Sequence, residues 1–172
     1  MALREIVSVP APVLRRKARK VIEFGPELQT LIDDMIDTMR DAPGVGLAAP
    51  QVAAPLRVIV IEYDDADDEN KDVPPKLYAL VNPEITRSSP ETEVGTEGCL
   101  SIPGFVGDVE RSTEIVVKGQ NRRGQAVRIK ANGWLARIFQ HEVDHLDGVL
   151  FTDRAQKVWK YEGETGQGMP VD

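Results

Sequence analysis

The chain is short of the residues that would make it a stapled, membrane-spanning or nucleic-acid-binding protein. It has a single cysteine in 172 residues. One thiol closes no internal disulfide, which excludes the small secreted scaffolds and fits a reducing cytoplasm. No apolar stretch approaches the roughly 20 residues a bilayer-spanning helix needs. The run Val58–Ile61 reads as a buried strand instead. The first ten residues contain no apolar core of a secretion signal, so none is expected. Gly 14 and Pro 12 are ordinary usage, and no repeat is visible. Positive charge is also scarce: Lys+Arg 21 against Asp+Glu 28 leaves a net charge of -7. Such a surface repels phosphate backbones, so no DNA partner is expected. One basic patch, Arg15 to Lys20, has no interleaved aromatics and reads as a solvated face.

What is present suits one domain over residues 1–172 with a real core. Pro10 and Pro12 break the chain, and a short helix is expected from Val13 to Lys20. A longer helix starts after Gly25-Pro26, where Leu28, Leu31, Ile32, Met35, Ile36 and Met39 recur at helical spacing. The stripe ends at Asp41-Ala42-Pro43-Gly44. Gly44 to Gln51 reads as a loop whose glycines permit close backbone approach. Leu56–Tyr63 and Leu77–Val81 are expected strands, the second closing at Asn82-Pro83. Asp64 to Asp72 lacks the glycine and distal glutamate of a calcium loop and reads as a solvated acidic loop. Thr113–Gly119 and Ala126–Ala131 form a hairpin about Asn121 to Gly124. A second long helix runs from Gly133 to Leu146, with Trp134, Leu135, Ile138 and Phe139 on its apolar side, and stops at Asp147-Gly148. The tail from Gly163 to Asp172 is expected to be flexible. Strands joined by turns argue for an α+β fold, antiparallel sheets packed around a central helix.

Both histidines of the chain lie on that second helix, in Gln140-His141-Glu142-Val143-Asp144-His145. This is the H-E-x-x-H pattern. Residues at i and i+4 share a helix face, so both imidazoles can converge on one metal ion. Glu142 lies about 100° round the helix, at the edge of that site. A carboxylate there suits a general base acting on a metal-activated water. The bland alternative is a solvated or hydrogen-bonded histidine pair. The sole cysteine sits in Glu97-Gly98-Cys99-Leu100-Ser101. It reads as a buried small hydrophobe, as a catalytic thiol beside a histidine, or as a thiolate ligand in a Cys/His/His set. Three protein ligands leave a coordination position open, as in catalytic sites. A closed structural site would need a fourth Cys or His, and none remains.

Three segments in this order, Gly44-Val45-Gly46-Leu47-Ala48-Ala49-Pro50-Gln51, Glu97-Gly98-Cys99-Leu100-Ser101 and Gln140-His141-Glu142-Val143-Asp144-His145-Leu146, resemble the peptide deformylase family. The resemblance covers most of the chain. It thins in the acidic loop and after Asp153. It implies a metallohydrolase that removes the N-formyl group from the initiator methionine of new polypeptides and releases formate. Cys99, His141 and His145 would be the metal ligands and Glu142 the base and then acid. Gln51 and the Leu100 N–H would hold the developing oxyanion. Substrate contacts are expected at Val45, Gly46, Glu97, Gly98 and Ile138. Val45 and Ile138 are candidates for the methionine pocket, although Ile138 reads equally as core. Glu97 reads also as an acceptor that orients a neighbour or as the cap of a turn, and Asp144 as a solvated charge. The family's metal is generally Fe(II), with nickel, cobalt or zinc in some members. A cytoplasmic monomer with a transient ribosome contact is expected. The rivals are an H-E-x-x-H zinc endopeptidase, which would not need Cys99, and a non-catalytic metal-binding relative.

Overall fold

The computed structural model describes residues 2–64 and 76–161. A five-stranded antiparallel sheet forms first. Its strands are β1 (Gly46–Ala48), β2 (Val58–Tyr63), β3 (Lys76–Ser88), β6 (Glu114–Gln120) and β7 (Ala126–Asn132), adjacent in that order. A three-stranded antiparallel sheet comprises β4 (Thr92–Gly98), β5 (Phe105–Ser112) and β8 (Lys157–Lys160). Helix α1 is Pro26–Asp41, α2 is Gly133–Leu146 and α3 is the single turn Phe151–Arg154. The α+β class with antiparallel sheets and the helix of the histidine motif is therefore observed.

The five-stranded sheet is covered on both faces, which is why β2 is a continuous apolar run and not an alternating one. Strand residues still point alternately to the two faces. Val58 and Val60, with Leu47 and Val81, pack against Leu28, Leu31, Ile32, Met35, Ile36 and Met39 of α1. Ile59 and Ile61, with Ala48, Leu80 and Val117, pack against Leu135, Ile138, Phe139, Val143 and Leu146 of α2. The expected helical stripe of α1 is thus its buried face. A smaller cluster of Cys99, Ile102, Val109, Leu150 and Phe151 lies under the three-stranded sheet.

Four local expectations need correction. Only Pro12–Arg15 is helical near the N-terminus, as one 3₁₀ turn. Beyond it the backbone is extended, because Ala18 N–H donates to Leu146 O and Arg19 pairs with the Pro55–Arg57 segment. Tertiary hydrogen bonds override the local preference. Second, Gly44 to Gln51 is not a plain loop: it contains β1 and a 3₁₀ turn, Ala49–Val52. Third, Asn82-Pro83 does not end β3. The strand runs on through a register shift, with Asn82 at φ 55 and its side chain bonded to Val21 and Gln120. Fourth, β4, β5, β8 and α3 have no counterpart among the expected elements. The hairpin of β6 and β7 forms about Asn121–Gly124 as expected, with Gly124 at φ 83. The acidic loop beyond Asp64 and the tail from Gly163 lie outside the described residues.

Candidate active site

Helix α2 lies between the two sheets and presents polar side chains to the smaller one. His141 and His145, four residues apart, share a face, and β4 ends one residue before Cys99. All three are enclosed, at 2%, 1% and 0% exposure. Their ligand-capable atoms lie within 4.8 Å of one another. Cys99 Sγ is 3.5 Å from His145 Nε2. Metal bonds of about 2.0–2.3 Å set tetrahedral ligand atoms roughly that far apart. Among the described residues this is the one group of three His, Cys or acidic side chains with such spacing.

Two further observations test whether a cation fits. His141 Nδ1 is 2.8 Å from Glu97 Oε1. A carboxylate only accepts, so Nδ1 carries the hydrogen and Nε2 is left to the site. That Nε2 is buried and has no hydrogen-bond partner among the described residues. A ring nitrogen enclosed this way is costly unless something binds it. The charge balance agrees. Burial by itself lowers the His141 pKa, but the Cys99 sulfur, Glu97 and Glu142 outweigh it and raise it to about 10. The negative charge of Glu97 and Glu142 that causes this rise also favours a cation among these side chains.

The other residues arrange themselves around this cluster. Gln51 is fully buried, and its amide direction is fixed at both ends. Oε1 accepts from the Ala48 N–H at 3.0 Å, while Nε2 donates to Ser101 Oγ at 3.1 Å and faces Cys99 Sγ at 3.7 Å. Glu142 is fully buried beside the histidines and lies against Gly46. A side chain on Gly46 would collide with Glu142 Oε2, so glycine there makes room for the carboxylate. Leu100 follows Cys99 in a turn and is partly buried; Gly98 is buried and pairs with Val106. Ile138 lies in the core with Phe139 and Leu80, and Val45 packs on the same cluster from a half-buried position. The Phe151 ring stacks on His141, with centroids 6.2 Å apart and planes 19° apart.

Glu97 is placed differently from a substrate contact. It is fully buried, and both oxygens are bonded. Oε1 accepts from Arg111 Nη2 at 2.9 Å and faces His141 Nδ1; Oε2 accepts from Arg111 Nε at 2.9 Å and Arg137 Nη1 at 2.6 Å. Four donors fill the lone-pair positions of a carboxylate and leave none for a substrate. Burial alone would raise its pKa, yet His141 and Arg111 hold it well below the carboxylate range, so it stays ionised. Glu97 is therefore placed to orient the His141 imidazole, as in the reading of it as an acceptor that orients a neighbour. Asp144 is likewise no free solvated charge. It accepts from Arg111 Nη1 at 2.6 Å and from Arg154 at 2.7 and 3.0 Å. Sequence reasoning missed Arg111 and Arg137, whose separation from Glu97 along the chain gives no sign of a shared site, and gave no role to Ser101 in the Cys99 segment.

A cysteine brought to the two histidines of an H-E-x-x-H helix is a donor set that suits a metal-dependent hydrolase. Comparison with known proteins narrows this. The polypeptide deformylase family matches residues 3–160. The peptide deformylase of Symbiobacterium thermophilum is 51% identical over 154 residues, covering 90% of this chain and 67% of that protein. The peptide deformylase of Desulforudis audaxviator is 46% identical over 160 residues, covering 93% and 98%. The crystal structure of the Thermotoga maritima peptide deformylase superposes with TM-score 0.81 at 43% identity, covering 91% of this chain and 100% of that one. The chain belongs to the peptide deformylase family. It is an enzyme that removes the N-formyl group from newly made polypeptides.

Proposed function

We propose that Cys99, His141 and His145 hold one divalent cation and that Glu142, Gln51 and the Leu100 N–H act on the formyl group beside it. The observation that carries this reading is the meeting of the Cys99 sulfur with the two imidazoles, 3.5 Å from His145 Nε2, next to a buried His141 Nε2 that has no hydrogen-bond partner among the described residues. The bound cation supplies Lewis acidity, polarising a carbonyl and making a water acidic near neutral pH. Glu142 takes the proton of the attacking water on its carboxylate and delivers it to the departing amine nitrogen, which is otherwise too basic to leave. Attack places negative charge on the formyl oxygen. Gln51 Nε2 and the Leu100 N–H stabilise it as neutral donors, and one such donor is typically worth about 2.7–4 kcal/mol. Val45, Gly46, Gly98 and Ile138 lie along the bound peptide, with Val45 and Ile138 against the methionine side chain.

The metal is Fe(II) on the family resemblance, with nickel, cobalt or zinc as substitutes. The thiolate makes the donor set softer than the His-His-carboxylate set of many zinc peptidases. The endopeptidase alternative is not favoured: its third ligand would be a downstream Glu or His, whereas here the third donor is the upstream Cys99. We read residues 1–172 as a single catalytic domain acting as a cytoplasmic monomer in protein biosynthesis. Arg15, Arg16, Lys17, Arg19 and Lys20 are all exposed, which leaves this patch available for a transient ribosome contact.

Protein purified without oxygen and assayed on formyl-Met-Ala-Ser tests the reading. One metal ion per chain and stoichiometric formate are expected, with both lost in Cys99→Ala. Peptide cleavage without formate, or a Cys99→Ala protein that retains its metal, would refute it.

A further inference from the structure

The carboxylate that orients His141 is itself held by a residue not yet given a role. Arg137 stands one helical turn before His141 on α2, so the two side chains reach the same carboxylate of β4. Arg137 is 5% exposed, deep burial for a guanidinium. Its Nη1 donates to Glu97 Oε2 at 2.6 Å and to Val109 O at 2.8 Å, and its Nη2 donates to Glu93 O at 2.7 Å. The Trp134 ring lies 5.3 Å from its Cζ. The guanidinium also rests directly on Gly95. A Cβ at that position would come within 2.8 Å of Arg137 Cζ and 2.9 Å of Nε.

Arg111 holds the same carboxylate but is shared with Asp144, and Asp144 is shared with the half-exposed Arg154. Arg137 has no other carboxylate partner among the described residues. Its remaining bonds go to backbone carbonyls of β4 and β5, the strands that lead to and from Cys99. One guanidinium therefore ties the histidine-bearing helix to the cysteine-bearing sheet at the carboxylate that aims His141.

We infer that Arg137 is a positioning residue of the metal centre, and that position 95 is glycine because the Arg137 guanidinium occupies the place of its side chain. The inference rests on the reading of His141 as a ligand. Arg137 fixes Glu97 with a planar fork, Glu97 fixes the tautomer and ring direction of His141, and the ring direction sets where Nε2 points. A lysine keeps the charge but not the fork. A methyl at position 95 keeps the arginine but displaces its head.

Cobalt(II) loading provides a readout independent of turnover, in affinity and in the visible ligand-field and thiolate charge-transfer bands. Arg137→Lys and Gly95→Ala are each expected to weaken cobalt binding about 10–100-fold and to shift the bands. Gly95→Ala added to Arg137→Met is expected to change nothing further, because the clash has gone. Wild-type cobalt affinity and bands in both Arg137→Lys and Gly95→Ala, with any loss confined to melting temperature, would overturn the inference. So would an equal loss from Gly95→Ala with and without Arg137. Should Arg137→Met fail to fold, the two single variants decide the matter alone. Cys99→Ala serves as the control. It is expected to bind no cobalt, and retained cobalt in that variant would refute the ligand assignment itself, whatever the Arg137 variants do.

Discussion

The five-stranded sheet carries one long helix on each face, and the two helices follow different rules. Helix α1 buries Leu28, Leu31, Ile32, Met35, Ile36 and Met39, with only Asp34 and Thr38 as buried polar residues. Asp34 is satisfied by the Ala2 N–H and Arg4 near the surface. Helix α2 also buries an apolar stripe against the sheet. On its other side it buries Arg137, His141 and His145 toward the three-stranded sheet and Cys99, and it buries Glu142 against Gly46 of β1. A helix with one covered face can leave its polar residues in water. A helix enclosed on two sides must bury some of them, and each then needs a partner or a ligand. Chemistry in this chain is located where the packing is least economical, and α1 shows what the same sheet accepts when only packing is required.

The largest effect that separates the two helices is on turnover. Glu142→Ala is expected to lower kcat by about 10³-fold, which is about 4 kcal/mol of barrier at 1.36 kcal/mol per tenfold, while metal content stays at one per chain. Formate release and metal analysis on the same sample check it. A variant that keeps its metal and its rate would remove Glu142 from the chemistry. The matching change on α1 is Met35→Ala, at a fully buried position. It is expected to cost about 2–5 kcal/mol of stability through the cavity it leaves. The kcat of the folded fraction should not change. Urea unfolding and active-site titration separate the two quantities. A kcat loss at unchanged folded fraction would show that α1 does more than support the sheet.

The same contrast explains what could be read in advance. Helix α1 was legible because Leu28 to Met39 keep a 3.6-residue period between a proline start and a proline-glycine stop. Helix α2 was legible at both ends, and its histidines were legible because i and i+4 spacing puts them on one face. The cysteine–histidine meeting was legible only as one of three readings of Cys99, and family resemblance chose among them. The three-stranded sheet was not legible. Strand β4 reads Thr92 to Gly98 with three exposed residues, then two half-buried and two buried ones, so it lacks a clean alternation. Glu97 was assigned to substrate because sequence separation hides Arg111 and Arg137, which lie 14 and 40 residues away and use up its oxygens. Asp144 looked solvated for the same reason. Long-range ion pairing decides these positions, and single-sequence periodicity carries no record of it.

The smallest effect belongs to the exposed counterpart of the Glu97 network. Arg40 near the end of α1 donates to Glu62 of β2 through Nε at 3.0 Å and Nη2 at 2.6 Å. The geometry is as good as that of Arg111 on Glu97, but the side chains are 52% and 24% exposed rather than 4% and 0%. Water and salt screen such a pair, and exposed pairs are typically worth about 0.2–1 kcal/mol. Arg40→Ala is therefore expected to lower the melting temperature by no more than about 4 °C, and by less in high salt. Arg40 holds the Glu62 carboxyl below its ordinary value of 4.5. A lowered carboxylate pKa contributes stability above that value and loses it as pH falls below it. The difference between wild type and Arg40→Ala should accordingly be present at neutral pH and disappear in acid. A large, salt-independent loss would mean that geometry outweighs burial in setting the strength of these pairs, and the distinction drawn between the two helices would fail.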